Sequence, residues 1–136
     1  MKKELFISWI LRILAAIILL QTLYFKFTGA AESIELFTKL GVEPVGRIGI
    51  GIIELITGIA LLIPRTVFIG AFLGTGIMLG AILSHVFVLG ISSNGDGGLL
   101  FLLAIIVLIC SISLLFLHKT KGISLLHQLL YSINKK

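Results

Sequence analysis

The sequence predicts an all-α membrane protein, built as a four-transmembrane-helix bundle with a short outer amphipathic helix and a C-terminal interfacial helix. Hydrophobic residues make up 58% of the 136 residues and charged residues only 12%, whereas soluble domains average about 45–50% and about 25%. The apolar residues are gathered in four blocks, each close to the ~20 residues that cross a bilayer. A chain of this length holds one domain, so residues 1–136 are expected to form a single unit.

Charged residues, glycines and prolines separate the four apolar blocks. The predicted spans cover residues 5–25, 46–63, 66–91 and 99–117. The second span ends before Pro64, which cannot continue a helix, and the fourth follows "SSNGDGG" (92–98), a run of turn-forming residues. Arg12 interrupts the first block and no clear cleavage site follows, so the block is predicted to be a retained span rather than a signal peptide.

Two shorter segments have the pattern of amphipathic helices. "AESIELFTKLG" (31–41) places Ile34, Phe37 and Leu40 on one helical face, which predicts a short helix on the outer surface. "GISLLHQLLYSINKK" (122–136) also has one apolar face, is too short to span, and ends in basic residues. It is predicted to be an interfacial tail on the inner leaflet.

The basic residues indicate orientation rather than nucleic-acid binding. Most of the net charge of +5 comes from residues at the chain ends and beside the inner turns. These residues are Lys2, Lys3, Arg65, Lys119, Lys121, Lys135 and Lys136. The positive-inside rule therefore predicts a multi-pass protein of the cell inner (plasma) membrane with both termini cytoplasmic. No basic stripe with interleaved aromatic residues occurs, so nucleic acid is excluded as a partner.

Polar residues within the spans define the predicted ligand site. At ~1.5 Å per residue, Glu54 lies ~12 Å from the outer end of the second span. The residues predicted to bind a ligand in an outer-half pocket are Glu54, His85, Gln21 and Lys26, with Arg47 and Asp96 in support. Asp96 is expected first as a cap or turn residue. Ionisable groups inside a membrane are usually functional, although Glu54 would also serve as a tie between helices.

The inner half contains Arg12, whose long side chain is expected to reach the inner interface. Small residues such as Gly70 and Gly74, and Gly76 and Gly80, predict close helix packing.

Other chemistries have little support in the sequence. Cys110 is the single cysteine, so the chain alone cannot perform dithiol exchange. Glu54, His85 and Asp96 do not follow a recognised metal-binding spacing, and no metal is predicted. No catalytic residue is predicted, and no convincing inverted repeat supports a proton-coupled transporter.

Several short motifs resemble those of the DoxX-like family of small four-helix membrane proteins. They are Arg12 in the first span, "YFKFTG" at its end, a Pro-bearing outer segment, "GIIELITGIALLIPR", and a His late in the third span. The resemblance covers about residues 10–117. The family pattern falls on Lys26, Glu54 with Gly58, Arg65 and His85.

The resemblance implies several functions. Some members are membrane subunits of thiosulfate:quinone oxidoreductases, others are linked to oxidative-stress complexes, and related eukaryotic proteins are chaperones for nicotinic receptors. We therefore expect a quinone or other lipid-like ligand, no covalently bound cofactor, and at most a non-catalytic or quinone-binding role in an oxidoreductase. The expected partners are the lipid bilayer and either further copies of the chain or another membrane redox protein. The alternative is a membrane assembly factor or chaperone without catalytic activity.

Overall fold

The computed structural model describes residues 1–134, and within that range it contains helices and no strands. The helices are α1 (Lys2–Gln21), α2 (Leu23–Thr28), α3 (Ala31–Lys39), α4 (Val45–Leu62), α5 (Val67–Ser84), α6 (Leu99–Leu117) and α7 (Lys119–Asn134). A π-helical turn, His85–Leu89, extends α5. Lys135 and Lys136, the basic end of the predicted tail, lie outside the described residues.

Four helical segments are long and apolar enough to cross a membrane. They are Lys2–Thr28 (α1 with α2), Val45–Leu62 (α4), Val67–Leu89 (α5 with its π-helical turn) and Leu99–Leu117 (α6). The predicted all-α bundle with four apolar helices is thus confirmed. We call the end that bears α3 the outer end and the end at Pro64 the inner end, following the predicted orientation.

The four long helices form a closed ring. α1 packs against α4 and α6, and α5 packs against the same two helices, so the order around the bundle is α1, α4, α5, α6. The interior is filled by a cluster of buried apolar side chains. Its members are Ala15, Leu19, Leu61, Val67, Ala71, Met78, Ala104, Val107, Cys110 and Leu114. Many apolar side chains on the outward faces are exposed, as expected of a surface that meets lipid.

One of the two glycine pairs on α5 allows close packing. A Cβ at Gly70 would lie 2.8 Å from the backbone nitrogen of Leu61, and one at Gly74 would lie 2.6 Å from Oγ of Ser111. By contrast, a Cβ at Gly76 or at Gly80 would meet no atom within 4 Å. The second pair follows the first by six residues and is therefore rotated from it by about 120° around the helix at ~100° per residue, so it lies away from the interfaces that the first pair forms.

Replacing Gly70 with alanine is expected to lower the free energy of unfolding by about 1–3 kcal/mol, the usual effect of overpacking. The obstacle is backbone of α4, which cannot rotate away as a side chain can. Gly76→Ala is the matched control, because alanine favours a helix over glycine by about 1 kcal/mol and has free space there. Thermal unfolding in detergent measures both variants, and equal destabilisation would contradict the assigned interface.

Short helices cover the outer end. α2 ends at Gly29, whose φ of 68° is left-handed, and α3 then turns Ser33 and Phe37 toward the bundle. A hydrogen bond of 3.0 Å from Lys39 Nζ to Asn94 Oδ1 ties α3 to the loop before α6. The predicted outer amphipathic helix is therefore present at residues 31–39.

α7 follows α6 almost directly and leaves the bundle. Gly122 is buried against the ring of Phe68, with no room for a Cβ. Beyond it the apolar side chains of α7 are exposed: Ile123, Leu126, Leu129, Leu130 and Ile133. The helix predicted for this tail is present, and its position on the membrane surface stays a prediction.

Candidate functional site

Lys26 of α2 and Glu54 of α4 form a buried ion pair. Lys26 Nζ lies 2.8 Å from Glu54 Oε2, and the two side chains are only 13% and 7% exposed. Thr22 joins them: Lys26 Nζ donates to Thr22 Oγ1 at 3.1 Å, and Thr22 Oγ1 lies 3.2 Å from Glu54 Oε2. The Thr22 hydroxyl also lies 2.8 Å from the carbonyl oxygen of Leu19. The three side chains therefore form a closed polar triangle between two helices.

A glycine on α4 lets α2 approach closely enough for this pair to form. A Cβ at Gly51 would lie 3.0 Å from the ring of Phe27 and 3.6 Å from Cβ of Lys26. Gly51 lies one turn before Glu54 on the same face of α4. The missing side chain thus makes room for the end of α2 next to the Glu54 carboxylate.

Arg47 holds the backbone at Lys26 rather than the ion pair itself. Its Nη1 donates to the carbonyl oxygen of Lys26, while Nη2 pairs with Glu43 Oε1 at 2.8 Å. The carbonyl of Lys26 belongs to the last turn of α2, so no N–H group of that short helix donates a hydrogen bond to it. Arg47 therefore fixes the end of α2 and, through it, the position of the Lys26 side chain.

His85 lies in a different part of the outer end. Its Nδ1–H donates to the carbonyl oxygen of Gly90 at 2.9 Å, and its ring meets Phe101 edge-on with centroids 5.8 Å apart. His85 is buried, and it makes no hydrogen bond to Glu54 within the described chain. Gln21, at the end of α1, is exposed. Of the four predicted ligand residues, the structure thus brings Lys26 and Glu54 into contact and places His85 and Gln21 apart from that pair.

Asp96 organises the loop before α6. Its carboxylate accepts hydrogen bonds from the backbone N–H groups of Ser93, Gly98 and Leu100 at 2.8–3.0 Å. Burial raises the pKa of Asp96, but these three donors and the nearby His85 lower it by more, so the pKa lies below its ordinary value. The carboxylate is thus occupied as a turn and helix cap, as the first of the two sequence interpretations expected.

Comparison with known families identifies the bundle. The sequence pattern of the DoxX-like family matches residues 10–113, well over half of the chain. The chain belongs to the DoxX-like family. Comparisons with curated proteins and with solved structures gave no match. Family membership and the four long apolar helices together make the protein an integral membrane protein.

The matched segment of this DoxX-like chain includes a residue of the polar triangle that the sequence interpretation missed. Thr22 lies four residues before Lys26, so the two side chains fall on the same face of a helix. That i, i+4 relation is visible in the sequence. However, the hydroxyl of a threonine in an apolar span usually bonds to a carbonyl of its own helix, so the residue type alone does not indicate a binding site. Its contact with Glu54 depends on how α1 and α2 meet α4.

The inner end of this DoxX-like bundle also contains a buried polar group. Arg12 is only 2% exposed, and its Nε and Nη2 donate to the carbonyl oxygens of Leu61 and Leu62 at 2.6 and 2.7 Å. Its guanidinium carbon lies 3.8 Å from the centre of the Trp9 ring. Arg12 thus extends toward the inner end, as expected, and its guanidinium is held there by two carbonyl acceptors at the end of α4; its position relative to the membrane interface stays a prediction.

Proposed function

We propose that the protein binds a quinone, or another lipophilic molecule with a polar head, at the Lys26–Glu54 pair, as a subunit of a membrane redox system. The observation that carries the proposal is the ion pair of 2.8 Å between α2 and α4, buried within an apolar bundle. A charged side chain in the middle of a membrane costs about 2.5–3.5 kcal/mol on insertion scales. Side chains that carry this cost commonly serve a ligand or an ion.

The donors at the site match the oxygen of a quinone. An ammonium group has three N–H donors, and Lys26 Nζ contacts Glu54 Oε2 and Thr22 Oγ1. One donor remains for a carbonyl oxygen of the ligand. Glu54 is the proposed proton acceptor, and the ring nitrogen Nε2 of His85 and the amide of Gln21 remain candidates for a second polar contact. Because Glu54 would accept protons, the ligand would react as a quinol: it would lose two protons to the site and two electrons to a partner redox protein that acts as the oxidant.

The proposal places the protein in the inner membrane with both termini in the cytoplasm. Arg65 lies at the inner turn, and Lys2, Lys3, Lys119 and Lys121 lie at the same end of the bundle. This distribution agrees with the positive-inside rule. The polar triangle then lies nearer the outer leaflet, from which a quinone dissolved in the bilayer would approach it, and the side chains that bury the pair would have to move apart to admit the ligand.

A binding measurement with matched controls tests the proposal. Purified protein in nanodiscs is titrated with a short-tailed quinone, and Lys26→Met is expected to weaken binding by about tenfold or more, because hydrogen bonds to charged groups contribute about 1.5–3 kcal/mol. Glu54→Gln and His85→Ala test the remaining contacts. Lys39→Met and Glu35→Gln are the controls, since Lys39 and Glu35 form an ion pair of the same length, 2.8 Å, on the exposed surface of α3. If the native protein binds no quinone, the proposal fails.

A second candidate function is that of an assembly factor or chaperone. It is favoured because the side chains of the polar triangle already bond to one another without a ligand. Glu54 already has a cation and a hydroxyl beside it, so the pair is able to hold α2 against α4 without any ligand. In that case α3 and the exposed helix faces form the interaction surface. Co-purification of a membrane partner that persists in the Glu54→Gln variant, together with no quinone binding, would favour this function.

A further inference from the structure

A half-open cavity with both polar and apolar lining residues lies at the inner end of the bundle, far along α1 from the Lys26–Glu54 pair. Its volume is about 200 Å³, and its lining residues are Met1, Glu4, Leu5, Ser8, Leu117 and His118. These residues come from the first two turns of α1 and from the junction between α6 and α7. None of them belongs to the proposed quinone site.

The cavity lies at the depth of the lipid head groups. α1 and α2 together cover 27 residues, or about 40 Å at ~1.5 Å per residue, whereas the hydrocarbon core is about 30 Å thick. The charged residues Lys2, Lys3 and Glu4 at the start of α1 make its first turns the part that we expect to lie beyond the hydrocarbon. The Pro64–Arg65 turn and the start of α7 lie at the same end, so a phospholipid of the inner leaflet has its head group beside the cavity.

The polar groups of the cavity are held in fixed positions. Ser8 is only 3% exposed, and its hydroxyl is hydrogen-bonded to Nε2 of His118 at 2.9 Å. This contact joins α1 to the end of α6. Because Nε2 of His118 is bonded to Ser8, the ring nitrogen Nδ1 is the one that could bond to a ligand.

Charged groups lie in and near the cavity. Glu4 contributes a carboxylate to its lining. Lys121 does not line the cavity; its Nζ donates to the carbonyl oxygen of Pro64 at 3.3 Å, and its charge acts on His118. Burial, and then the charges of Lys121 and Arg12, lower the pKa of His118 below its ordinary value. Leu5 and Leu117 supply apolar walls.

We propose that this cavity binds the phosphoethanolamine group of an inner-leaflet phospholipid. The primary ammonium of that head group would pair with Glu4, and its phosphate would lie toward His118 and Lys121. Leu5 and Leu117 would contact the glycerol region. A purely anionic head group carries no cation of its own to pair with the Glu4 carboxylate. A choline head group would bring a cation without N–H donors, which leaves Glu4 without a hydrogen bond.

The test compares lipids that differ only in the head group. The protein is placed in nanodiscs of phosphatidylcholine that contain equal fractions of phosphatidylethanolamine and phosphatidylglycerol with the same acyl chains, and retained lipid is identified by native mass spectrometry. We expect phosphatidylethanolamine to be retained about three- to tenfold over either other lipid, the range for one charged pair at a partly exposed site. Glu4→Gln is expected to remove this preference. Glu32→Gln, which changes an exposed carboxylate on α3 at the outer end, is expected to leave it unchanged.

Two further measurements complete the test. One distinguishes a soluble head group from a whole phospholipid as the ligand, and the other checks that the Glu4→Gln variant is folded. If soluble O-phosphoethanolamine displaces the lipid, the cavity recognises the head group alone. If the lipid is retained, the cavity recognises the whole phospholipid. Either result supports the proposal. The fluorescence of Trp9, the single tryptophan, reports whether Glu4→Gln keeps the packing of the inner end. Equal retention of all three lipids, or a preference for phosphatidylglycerol that increases in Glu4→Gln, would overturn the proposal. Quinone binding is measured separately, so either proposal can fail alone.

Discussion

Arg12→Leu is expected to lower the free energy of unfolding by about 2–5 kcal/mol, because it removes two hydrogen bonds from a charged donor and leaves the buried carbonyl of Leu61 and the partly buried carbonyl of Leu62 without partners. The last carbonyl groups of an α-helix accept no hydrogen bond from within the helix. At α4 the chain turns to an extended conformation at Ile63 and then to Pro64, so no further helical residue can supply donors. Arg12 bonds to Leu61 and Leu62 instead.

The positive charge of Arg12 has a second effect at this position. The carboxyl end of a helix carries a partial negative charge, and a cation there is stabilising by about 0.3–1 kcal/mol at exposed sites and more at buried ones. The side chain comes from α1, so the same contacts also join two helices of the bundle. Arg12→Lys keeps the charge but offers a single ammonium in place of the planar fork, and we expect an intermediate loss of stability.

Lys121 provides the matched control at the same end of the bundle. Its Nζ donates to the carbonyl oxygen of Pro64 at 3.3 Å from an exposed position. Lys121→Met is expected to change the free energy of unfolding by less than about 0.5 kcal/mol, as is usual for surface positions. Unfolding in mixed detergent micelles, followed by circular dichroism, measures all three variants. A loss in Arg12→Leu no larger than that in Lys121→Met would show that the capping contacts contribute little.

The fold was largely predictable because its main determinants are local in the sequence. Block length and hydropathy define the four spans, Pro64 stops the second, and the glycine-rich loop at 92–98 separates the third from the fourth. Side-chain partners between helices depend on rotation and depth, which the spacing within one helix does not determine. The sequence placed Lys26 in one predicted pocket with Glu54, His85 and Gln21 without pairing any two of them. The approach of α2 at Gly51 brings Lys26 to Glu54.

The placements of Gln21 and His85 show the same limit. Gln21 ends α1 with its side chain exposed, whereas the hydroxyl of the next residue, Thr22, lies 3.2 Å from the Glu54 carboxylate. The backbone at Thr22 stays in the right-handed helical region, so the two side chains differ by the rotation of about 100° between neighbouring helical residues. His85 begins a π-helical turn and is bonded to Gly90 at the end of that turn. In both cases the partner depends on how a helix is rotated against its neighbours, which the spacing within one helix does not determine.

Lys26→Met is expected to destabilise the bundle by about 3–5 kcal/mol, because removal of one partner leaves the buried Glu54 charge uncompensated. Glu54→Leu is expected to have a similar effect through Lys26. The double variant Lys26→Met/Glu54→Leu should recover most of the loss, since a buried ion pair can often be replaced by apolar side chains of similar size without a net cost. The exposed pair Lys39–Glu35 is the control, and its removal is expected to cost about 0.3–0.5 kcal/mol.

A double-mutant cycle, measured by unfolding in mixed micelles, gives the coupling energy between Lys26 and Glu54. Additive single effects would contradict the buried ion pair, because residues in contact normally couple by 0.5–3 kcal/mol. The double variant also distinguishes the two proposed functions, quinone binding and assembly of a membrane partner. If it is as stable as the native protein but no longer binds quinone, the pair serves the ligand. If it is stable and still captures a membrane partner without any quinone binding, the charges of Lys26 and Glu54 serve only to hold α2 against α4.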